Sequence, residues 1–544
     1  MAGKSWLRQG IGVLGALIMS LGWYPGWGPA LVIGWLAWLY LLDGLSLPAA
    51  PGKGPGLGRR FLILWGVLLV WNGLSVWWIQ GATVGGAIGA TVAMAACMAV
   101  LLTLVTVGWR ALGRAYGLFF LVACWLWFEW FFHNSEISWP WLTLGNAWAE
   151  QSALVQWYEY TGVLGGSLWT LLLAILLYQV LRVKHCQRKS FRLARYVGLG
   201  LAIVCPLIWS AWLWRCAKNL PCTQGEEVII VQPNVDPYTE KYSGLSWQEQ
   251  LNRLLTMAED AITPATRLVV APETALTQMV WLNTIQENEQ ILQIRQFLQR
   301  HPQVHFIVGA STYYRLPENQ APDAISRRLQ GNPDFWYNAY NTALSIDTGG
   351  VENLYHKSKL VVGVEMLPYP ARLAFLSKLS IDLGGDVGSL GTQPTRRVFS
   401  FGQHGKAAPI ICYESLFGDF CRGYLAQGAT LLAVITNDGW WGDTPGYRQH
   451  FSYSKLRAIE ARRPLAQAAN TGISAFVDHL GRTQQKLNWG EQGTLRTTIE
   501  SPTVSTFYTL HGDYLGRIAK ALLLLNLLVL MANWAKKRFP RARI

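Results

Sequence analysis

The sequence predicts a polytopic α-helical membrane domain joined to an α/β extramembrane domain. Three observations indicate this fold class. Hydrophobic residues make up 51% of the chain and charged residues only 14%, whereas soluble domains carry about 25% charged residues. Apolar stretches near the length of about 20 residues that crosses a bilayer recur through residues 1–215 and return near the end. From Glu226 onward, short β-branched runs alternate with helical stretches, which is typical of a layered α/β domain.

Eight apolar segments are predicted to cross the membrane, seven before the extramembrane domain and one after it. They cover residues 6–22, 28–46, 61–79, 85–108, 117–133, 161–181, 196–214 and 516–534. The first segment has no small-residue cleavage site and others follow it, so we interpret it as a retained helix and not as a signal peptide. The predicted regions are therefore 1–215 with about seven transmembrane helices, 216–515 as the extramembrane domain, and 516–544 with the last helix and a basic tail.

Lysine and arginine alternate between loops in a way that predicts the orientation. They precede the first segment, fill the loops around 53–60, 110–114 and 182–195, and close the chain, whereas the loops around 23–27, 80–84 and 134–160 contain none. The positive-inside rule then places both termini in the cytoplasm and residues 216–515 on the opposite face. Arg215 and Lys218 oppose this orientation, but five basic clusters agree with it. Because the net charge of +14 clusters beside apolar segments, a membrane and not a nucleic acid is the expected partner.

The extramembrane domain has the element pattern of a sheet protein with helical flanks. Predicted strands are Val228–Val231, Leu268–Val270, His305–Val308, Thr342–Ile346, Ala408–Ile411 and Leu431–Thr436. Predicted helices are Trp247–Ala261, Asn288–Gln299 and Gln449–Arg462. No Gly-rich phosphate loop follows a strand, and the eight cysteines include no pair with the spacing of a zinc site.

Three apolar runs end in or near a group that could take part in catalysis. Glu273 follows the strand at 268–270, Lys357 lies in the segment LYHKSKL, and Cys412 directly follows the strand at 408–411. A free thiol has a pKa of about 8.5, so a nucleophilic cysteine needs a base or a nearby cation. Glu273 could accept the thiol proton, and Lys357 could lower the thiol pKa and stabilise an oxyanion.

Each of these residues also has a purely structural interpretation. Cys412 could be a small core residue, which is the usual role of a free cysteine. Glu273 could be a carboxylate at a helix start, and Lys357 could be a solvated surface charge. Spacing along the chain does not by itself bring the three together.

The motifs APET, YHKSKL and ICYES resemble the Glu-Lys-Cys triad of the nitrilase superfamily, whose fold is a four-layer α-β-β-α sandwich. With several membrane spans before the domain and one after it, the chain resembles the apolipoprotein N-acyltransferase family of the Gram-negative inner membrane. Further matching segments are VEMLPY with Glu365, TNDGWWGD at 436–443, RAIEARRP at 457–464 and NTGIS at 470–474. The resemblance implies that Glu273, Lys357 and Cys412 are catalytic and that Glu365 is a supporting carboxylate.

The chain departs from the family pattern at two places. Residues 362–364 read Val-Gly-Val where the family usually carries Pro-Phe-Gly before the supporting glutamate. Tyr242 follows Lys241 where the family favours tryptophan, and it is a candidate for contact with the acyl chain. Between the two nearby lysines, the nitrilase pattern favours Lys357 over Lys359, because Lys357 lies two residues after the aromatic Tyr355.

Other candidate residues surround these motifs. Trp440, Trp441 and the apolar stretch 367–379 are candidate lids that contact lipid, with ordinary core packing as the alternative. The Tyr413 N–H is a candidate oxyanion donor. Glu414 could orient the site or the incoming amine, or it could form a salt bridge with Arg457, Arg462 or Arg463.

The resemblance implies a ping-pong acyl transfer. Glu273 deprotonates Cys412, which attacks the ester carbonyl of a phospholipid acyl chain while Lys357 and Tyr413 hold the oxyanion. The resulting thioester is then attacked by the free α-amine of diacylglyceryl-cysteine at the N-terminus of an apolipoprotein. The implied partners are a phospholipid donor, a diacylated apolipoprotein acceptor and membrane lipid, with no metal or diffusible cofactor. The implied location is the Gram-negative inner membrane, with a periplasmic catalytic domain.

Two other functions are compatible with the sequence. A membrane-tethered nitrilase-like amide hydrolase would use the same triad with water as the acceptor. A non-enzymatic binding or transport protein would use the extramembrane domain only for binding. Transport pathways are usually marked by charges inside the membrane, and here Asp43 and Glu129 lie near the ends of their segments.

Overall fold

The computed structural model describes residues 2–46, 55–182, 189–241, 244–329, 331–366 and 389–538. In these ranges the long helices before the first strand are α1 (Ala2–Ser20), α2 (Pro29–Ser46), α3 (Leu57–Val76), α4 (Val84–Leu112), α5 (Arg114–Asn134), α6 (Tyr158–Leu181) and α7 (Lys189–Ala217). Among the described residues, seven helices are long and apolar enough to cross a membrane: α2 to α7 and the final helix Tyr514–Arg538. The predicted first span is helical as α1 but is not among those seven. The chain is a multi-pass membrane protein.

Arg114 and Arg182 lie at the end of these helices opposite the extramembrane domain. Asp43 near the end of α2 forms ion pairs with Arg114 at the start of α5 (2.9 Å) and with Arg182 just after α6 (2.8 Å). At the other end, Glu159 in the first turn of α6 pairs with Arg462 of the extramembrane domain. Because α6 runs from one group of contacts to the other, its two ends mark the two faces of the membrane domain.

The extramembrane domain contains two β-sheets. Its strands are β1 (Glu226–Gln232), β2 (Thr266–Val270), β3 (Leu276–Trp281), β4 (His305–Arg315), β5 (Arg327–Leu329), β6 (Asn332–Asp347), β7 (Gly350–His356), β8 (Phe399–Phe401), β9 (Gly405–Ile411), β10 (Leu431–Thr436), β11 (Leu465–Ala469), β12 (Ser474–Val477), β13 (Thr483–Leu487) and β14 (Gly493–Ile499). The first sheet has the order β14-β1-β2-β4-β6-β5, with β3 beside β4 and β7 beside β6. The second has the order β13-β12-β11-β10-β9-β8.

Helices cover the outer face of each sheet. The remaining helices are α8 (Trp247–Ala261), α9 (Glu289–Gln299), α10 (Gly418–Leu425), α11 (Pro445–Ala461), α12 (Phe507–His511) and α13 (Tyr514–Arg538). Helices α8 and α9 pack on the first sheet, and β1 packs against β11 and β12 of the second. Helix α10 lies against β9, and α11 packs on α10 and on the membrane helix α6. This arrangement confirms the predicted nitrilase-like α-β-β-α sandwich and places its second helical layer against the membrane domain.

Local sequence explains most of these elements. The Ser246–Glu249 capping box begins α8, whose leucines at 251, 254 and 255 are buried. The run LLAVIT of β10 is apolar on both faces because β10 lies between the parallel strands β9 and β11 and is fully buried. Helix α11 begins four residues before its predicted start, since Thr444 caps it and Pro445 occupies its first turn.

Buried polar contacts hold the domain on α6. Besides its ion pair with Glu159, Arg462 donates to the Gln156 side chain (2.6 Å). The carboxylate of Glu460 accepts the Val163 N–H (3.1 Å), next to Gly162, where α6 leaves the helical conformation with φ +60°. One apolar core runs from the membrane helices into the second sheet, so the two domains pack as one body at this face.

Candidate active site

Cys412 occupies a sharp turn at the carboxyl end of β9. The strand carries its buried apolar run to Ile411, and a short 3₁₀ turn follows over residues 412–416. Cys412 has φ +49°, a left-handed conformation that costs a residue with a Cβ about 1–2 kcal/mol. Such strain is concentrated at functional sites because the surrounding structure must hold it in place. The residue is 9% exposed.

Glu273 lies in the turn between β2 and β3, and three donors fix its carboxylate. Its Oε1 accepts from Lys357 Nζ (3.1 Å) and Asn341 Nδ2 (2.7 Å), and its Oε2 accepts the Asn437 N–H (3.1 Å). It is therefore not a helix-start carboxylate. Gly309 of β4 permits this turn, since a Cβ there would come within 2.6 Å of the Glu273 Cα.

Lys357 follows β7 and lies between two carboxylates. Its Nζ donates to Glu365 Oε1 (2.8 Å) as well as to Glu273 Oε1, and the residue is only 1% exposed. Asn341 bridges the same two groups, since its Nδ2 also lies 3.1 Å from Glu365 Oε1. The Val361 N–H holds the other Glu365 oxygen (2.8 Å). Lys357 is therefore buried and paired, and not a solvated surface charge.

The electrostatics of these groups favour a carboxylate base beside a protonated thiol. Burial raises the pKa of the Cys412 thiol well above its ordinary value, and the Glu273 charge adds to this while Lys357 opposes it. Burial alone would also raise the pKa of Glu273, but Lys357 and Asn341 outweigh it and lower that pKa. Burial would lower the pKa of Lys357, but Glu273 and Glu365 raise it well above the ordinary value. The site can thus move the thiol proton to Glu273 as sulfur attacks.

Glu414 joins the cysteine turn to the lysine segment. Its Oε1 accepts from the Tyr355 hydroxyl (2.7 Å) and the Ser358 N–H (2.7 Å), and its Oε2 accepts the Ile411 N–H (2.9 Å). The arginines considered as salt-bridge partners contact other groups: Arg457 pairs with Glu460, Arg462 with Glu159, and Arg463 donates to backbone carbonyls. Glu414 therefore fixes the position of the turn at Cys412 relative to the segment that carries Lys357.

A cavity of about 370 Å³ opens onto the three central residues and reaches the membrane domain. Its lining includes Glu273, Lys357, Glu365, Cys412, Tyr413, Trp440 and Trp441 from the extramembrane domain, and Trp78, Ala82, Thr83, Gly86, Ala90 and Trp141 from the membrane domain. The half-buried Trp441 packs edge-on against Trp78, with ring centroids 4.9 Å apart. The Tyr413 hydroxyl donates to the Ser138 carbonyl (3.0 Å) of the membrane domain. Tyr242 and the stretch 367–379 lie outside the described residues.

A further polar cluster lies behind Cys412, and the sequence did not predict it. Ligand atoms of Cys412, Asp438 and His450 lie within 4.8 Å of one another, a spacing at which a metal ion could bind. Both ring nitrogens of His450 are engaged, however, one with Asp438 Oδ1 (2.9 Å) and one with the Cys412 carbonyl (3.0 Å). With those bonds made, His450 has no lone pair to offer a metal. The feature of the sequence that could have predicted this cluster is the polar pair Asn437 and Asp438, which directly follows a buried strand.

Comparisons with known proteins find similar families, relatives and structures. Residues 230–508 match the carbon-nitrogen hydrolase family, and residues 15–176 match the apolipoprotein N-acyltransferase N-terminal domain. The chain is 29% identical over 517 residues to an apolipoprotein N-acyltransferase of Chlorobaculum tepidum, covering 93% of each chain. It is 28% identical over 520 residues to one of Gloeobacter violaceus, covering 92% of this chain and 90% of the relative. A nitrilase-superfamily amidase from Nesterenkonia is 19% identical with a TM-score of 0.35, covering 55% of this chain and 98% of that one.

Proposed function

This chain belongs to the carbon-nitrogen hydrolase family, and we propose that it is an apolipoprotein N-acyltransferase. It moves a fatty-acyl chain from a phospholipid, through a thioester on Cys412, to the N-terminal α-amine of a diacylglyceryl-cysteine apolipoprotein. The observation that carries the proposal is the cavity, whose lining combines Cys412, Glu273 and Lys357 with residues of a membrane helix. The similarity to apolipoprotein N-acyltransferases across both domains supports it.

In the first half-reaction Glu273 accepts the thiol proton while the Cys412 sulfur attacks the ester carbonyl of the phospholipid. The negative charge that develops on the carbonyl oxygen is stabilised by the Lys357 ammonium and by the Tyr413 N–H. When the intermediate collapses, the ester C–O bond breaks and the alkoxide of the lysophospholipid takes the proton from Glu273. The acyl chain remains on sulfur as a thioester.

In the second half-reaction the neutral α-amine of the acceptor attacks the thioester carbonyl. Glu273 accepts a proton from the attacking nitrogen, and the C–S bond breaks as the amide forms. The released Cys412 sulfur then regains its proton from Glu273, which restores the resting site. The enzyme thus uses one base for both steps. The thiol proton leaves with the lysophospholipid in the first step, and a proton from the amine replaces it on Cys412 in the second.

The acyl chain enters between the two domains. Gly86 and Ala90 of α4 lie in the cavity wall, and small side chains there leave room for a lipid tail. On the same helix Val84 and Ile88 are 62% and 61% exposed, as expected for side chains that face bilayer lipid. Trp440 and Trp441 line the cavity beside them and are proposed lipid contacts.

The proposed location is the inner membrane of a Gram-negative bacterium, with both termini cytoplasmic and residues 216–515 periplasmic. Arg114 and Arg182 lie at the face opposite the extramembrane domain, in agreement with the positive-inside rule. Exposed Cys222 provides a test: a membrane-impermeant maleimide should label it from outside spheroplasts without lysis. Labelling that required lysis would reverse the proposed orientation.

The function is tested with the purified full-length protein in detergent. It is incubated with a phospholipid carrying a deuterated acyl chain and with a synthetic diacylglyceryl-cysteine peptide that has a free α-amine. We expect one deuterated acyl group on the peptide as an amide, none on a matched N-acetylated peptide, and none with Cys412→Ala. Release of deuterated fatty acid without amide would instead support the amide hydrolase.

A further inference from the structure

His450 connects three segments around the proposed nucleophile. It lies on α11, is 0% exposed, and its Nε2 is 3.0 Å from the Cys412 carbonyl oxygen and 2.9 Å from Ser415 Oγ. Its Nδ1 is 2.9 Å from Asp438 Oδ1, just after β10. The indole of Trp441 stands edge-on to the ring with centroids 5.9 Å apart. The imidazole therefore touches the cysteine turn, the end of β10 and the cavity wall.

The hydrogen bonds indicate the charge on this ring. The Cys412 carbonyl can only accept, so its contact with Nε2 is a hydrogen bond when Nε2 carries a proton. Asp438 Oδ1 already accepts from Thr436 Oγ1 (2.7 Å), and a carboxylate oxygen can likewise only accept from Nδ1. Burial alone would lower the pKa of His450, but Asp438 and the Cys412 carbonyl raise it above its ordinary value. As an imidazolium the ring donates to both the Cys412 carbonyl and Asp438, and the Asp438 carboxylate balances its charge.

Two side chains contact the Cys412 carbonyl oxygen as hydrogen-bond donors. Besides His450 Nε2, the Ser415 hydroxyl donates to it (2.8 Å). These bonds lie on the peptide unit next to a residue at φ +49°, so they oppose relaxation of the strained turn. A ring nitrogen also lies within 4.8 Å of the Cys412 sulfur, close enough for a charge on the ring to act on a thiolate in a buried site.

We propose that His450, held as an imidazolium by Asp438, is a positioning residue that fixes the Cys412 turn and stabilises the thiolate. This inference rests on the proposed function only in taking Cys412 as the nucleophile. The charged groups that face the sulfur are Glu273 from the turn after β2, Lys357 after β7, Asp438 after β10 and His450 from α11. Without the imidazolium, the Asp438 charge near the sulfur is no longer balanced, and the thiol becomes harder to ionise.

The first test measures alkylation of Cys412 by iodoacetamide across pH 6 to 11 in the full-length protein, read on its own peptide by mass spectrometry. His450→Gln keeps a donor for the Cys412 carbonyl and removes the charge. We expect the midpoint of the alkylation curve in this variant to lie about one pH unit above that of the wild type. At any pH below the midpoint, the rate of alkylation is then about tenfold lower than in the wild type. His479→Gln is the matched control, since His479 contacts the Ala217 carbonyl (2.9 Å) and should leave the curve unchanged.

A second measurement needs no variant. The pH dependence of hydrogen exchange at the imidazole C2 position, followed by mass spectrometry in the wild type, reports the protonation of each histidine. We expect His450 to titrate above the ordinary value of about 6.5. A His450 midpoint at or below that value, or an unshifted alkylation curve in folded His450→Gln, would overturn the proposal.

The outcome is independent of acyl transfer. A wild type that forms no thioester with phospholipid would count against the proposed function, while a shifted alkylation curve would still support the role of His450. The reverse pattern, thioester formation with no shift, would refute this inference alone.

Discussion

Replacing Lys357 by methionine removes a buried ammonium from between two carboxylates. In the native site Nζ lies 3.1 Å from Glu273 Oε1 and 2.8 Å from Glu365 Oε1, and Glu273 is only 6% exposed. Bulk water therefore has little access to the two carboxylates that lose the cation. Removing one partner of a buried ion pair costs about 3–5 kcal/mol, and here the two remaining carboxylates also repel each other across Asn341. We expect one of them to bind a proton.

The sign of the pH dependence follows from this change. In the native protein the pKa of Glu273 is lowered, so it contributes stability above its unfolded pKa, and this contribution is lost as pH falls through the folded value. In Lys357→Met the folded pKa of Glu273 rises above the unfolded value. The variant should then be least stable at high pH and regain stability as pH falls through the raised value. The stability difference from the native protein should therefore narrow between pH 8 and pH 5.

The assay is thermal unfolding of the full-length protein in detergent at the two pH values, together with the thioester mass after incubation with phospholipid. Lys359→Met is the matched control from the same segment, because Lys359 Nζ donates to the His133 carbonyl (2.8 Å) and not to a carboxylate. We expect Lys357→Met to lose the thioester and Lys359→Met to keep it. A stability loss independent of pH, or a thioester that survives in Lys357→Met, would refute the paired-carboxylate reasoning.

Three further changes test the supports of the site. Asn341→Ala removes hydrogen bonds to both carboxylates, each worth about 1.5–3 kcal/mol to a charged group, and should slow single-turnover thioester formation at least tenfold; a native rate would contradict this. Glu414→Gln places an amide donor against a buried N–H such as that of Ile411, and should lower stability by about 1–3 kcal/mol in thermal unfolding. Gly309→Ala forces a Cβ to within 2.6 Å of Glu273 Cα, and should abolish the thioester with circular dichroism unchanged.

The sequence could predict the parts of the site that depend on strand ends. Glu273 and Cys412 follow buried runs whose composition marks them as strands, and the parallel pairing of β9 with β10 explains why Cys412 emerges at a common edge. The departure before Glu365 did not prevent its contact with Lys357, because a backbone N–H from Val361 holds that carboxylate. A hydrogen bond from a backbone N–H does not require the Pro-Phe-Gly side chains that the family usually carries at residues 362–364.

Other parts were beyond prediction from one sequence. Asn341 lies 68 residues from Glu273, inside a strand whose apolar neighbours dominate the pattern. His450 lies on a helix whose buried residues surround its whole circumference, so no polar face marks it. The cavity forms where the membrane helices and the extramembrane domain meet, and Trp78 and Trp441 become neighbours through that packing. Periodicity describes each element but does not describe how two elements meet.

The central claim is that Cys412 carries the acyl chain, and peptide mass spectrometry tests it most directly. Purified protein is incubated with phospholipid, digested, and compared with Cys412→Ala and Glu273→Ala, with and without hydroxylamine. The account predicts a fatty-acyl mass on the Cys412 peptide of the native protein that hydroxylamine removes and that both variants lack. An acyl mass on another residue, or no adduct on a folded native protein that still acylates the acceptor peptide, would contradict it.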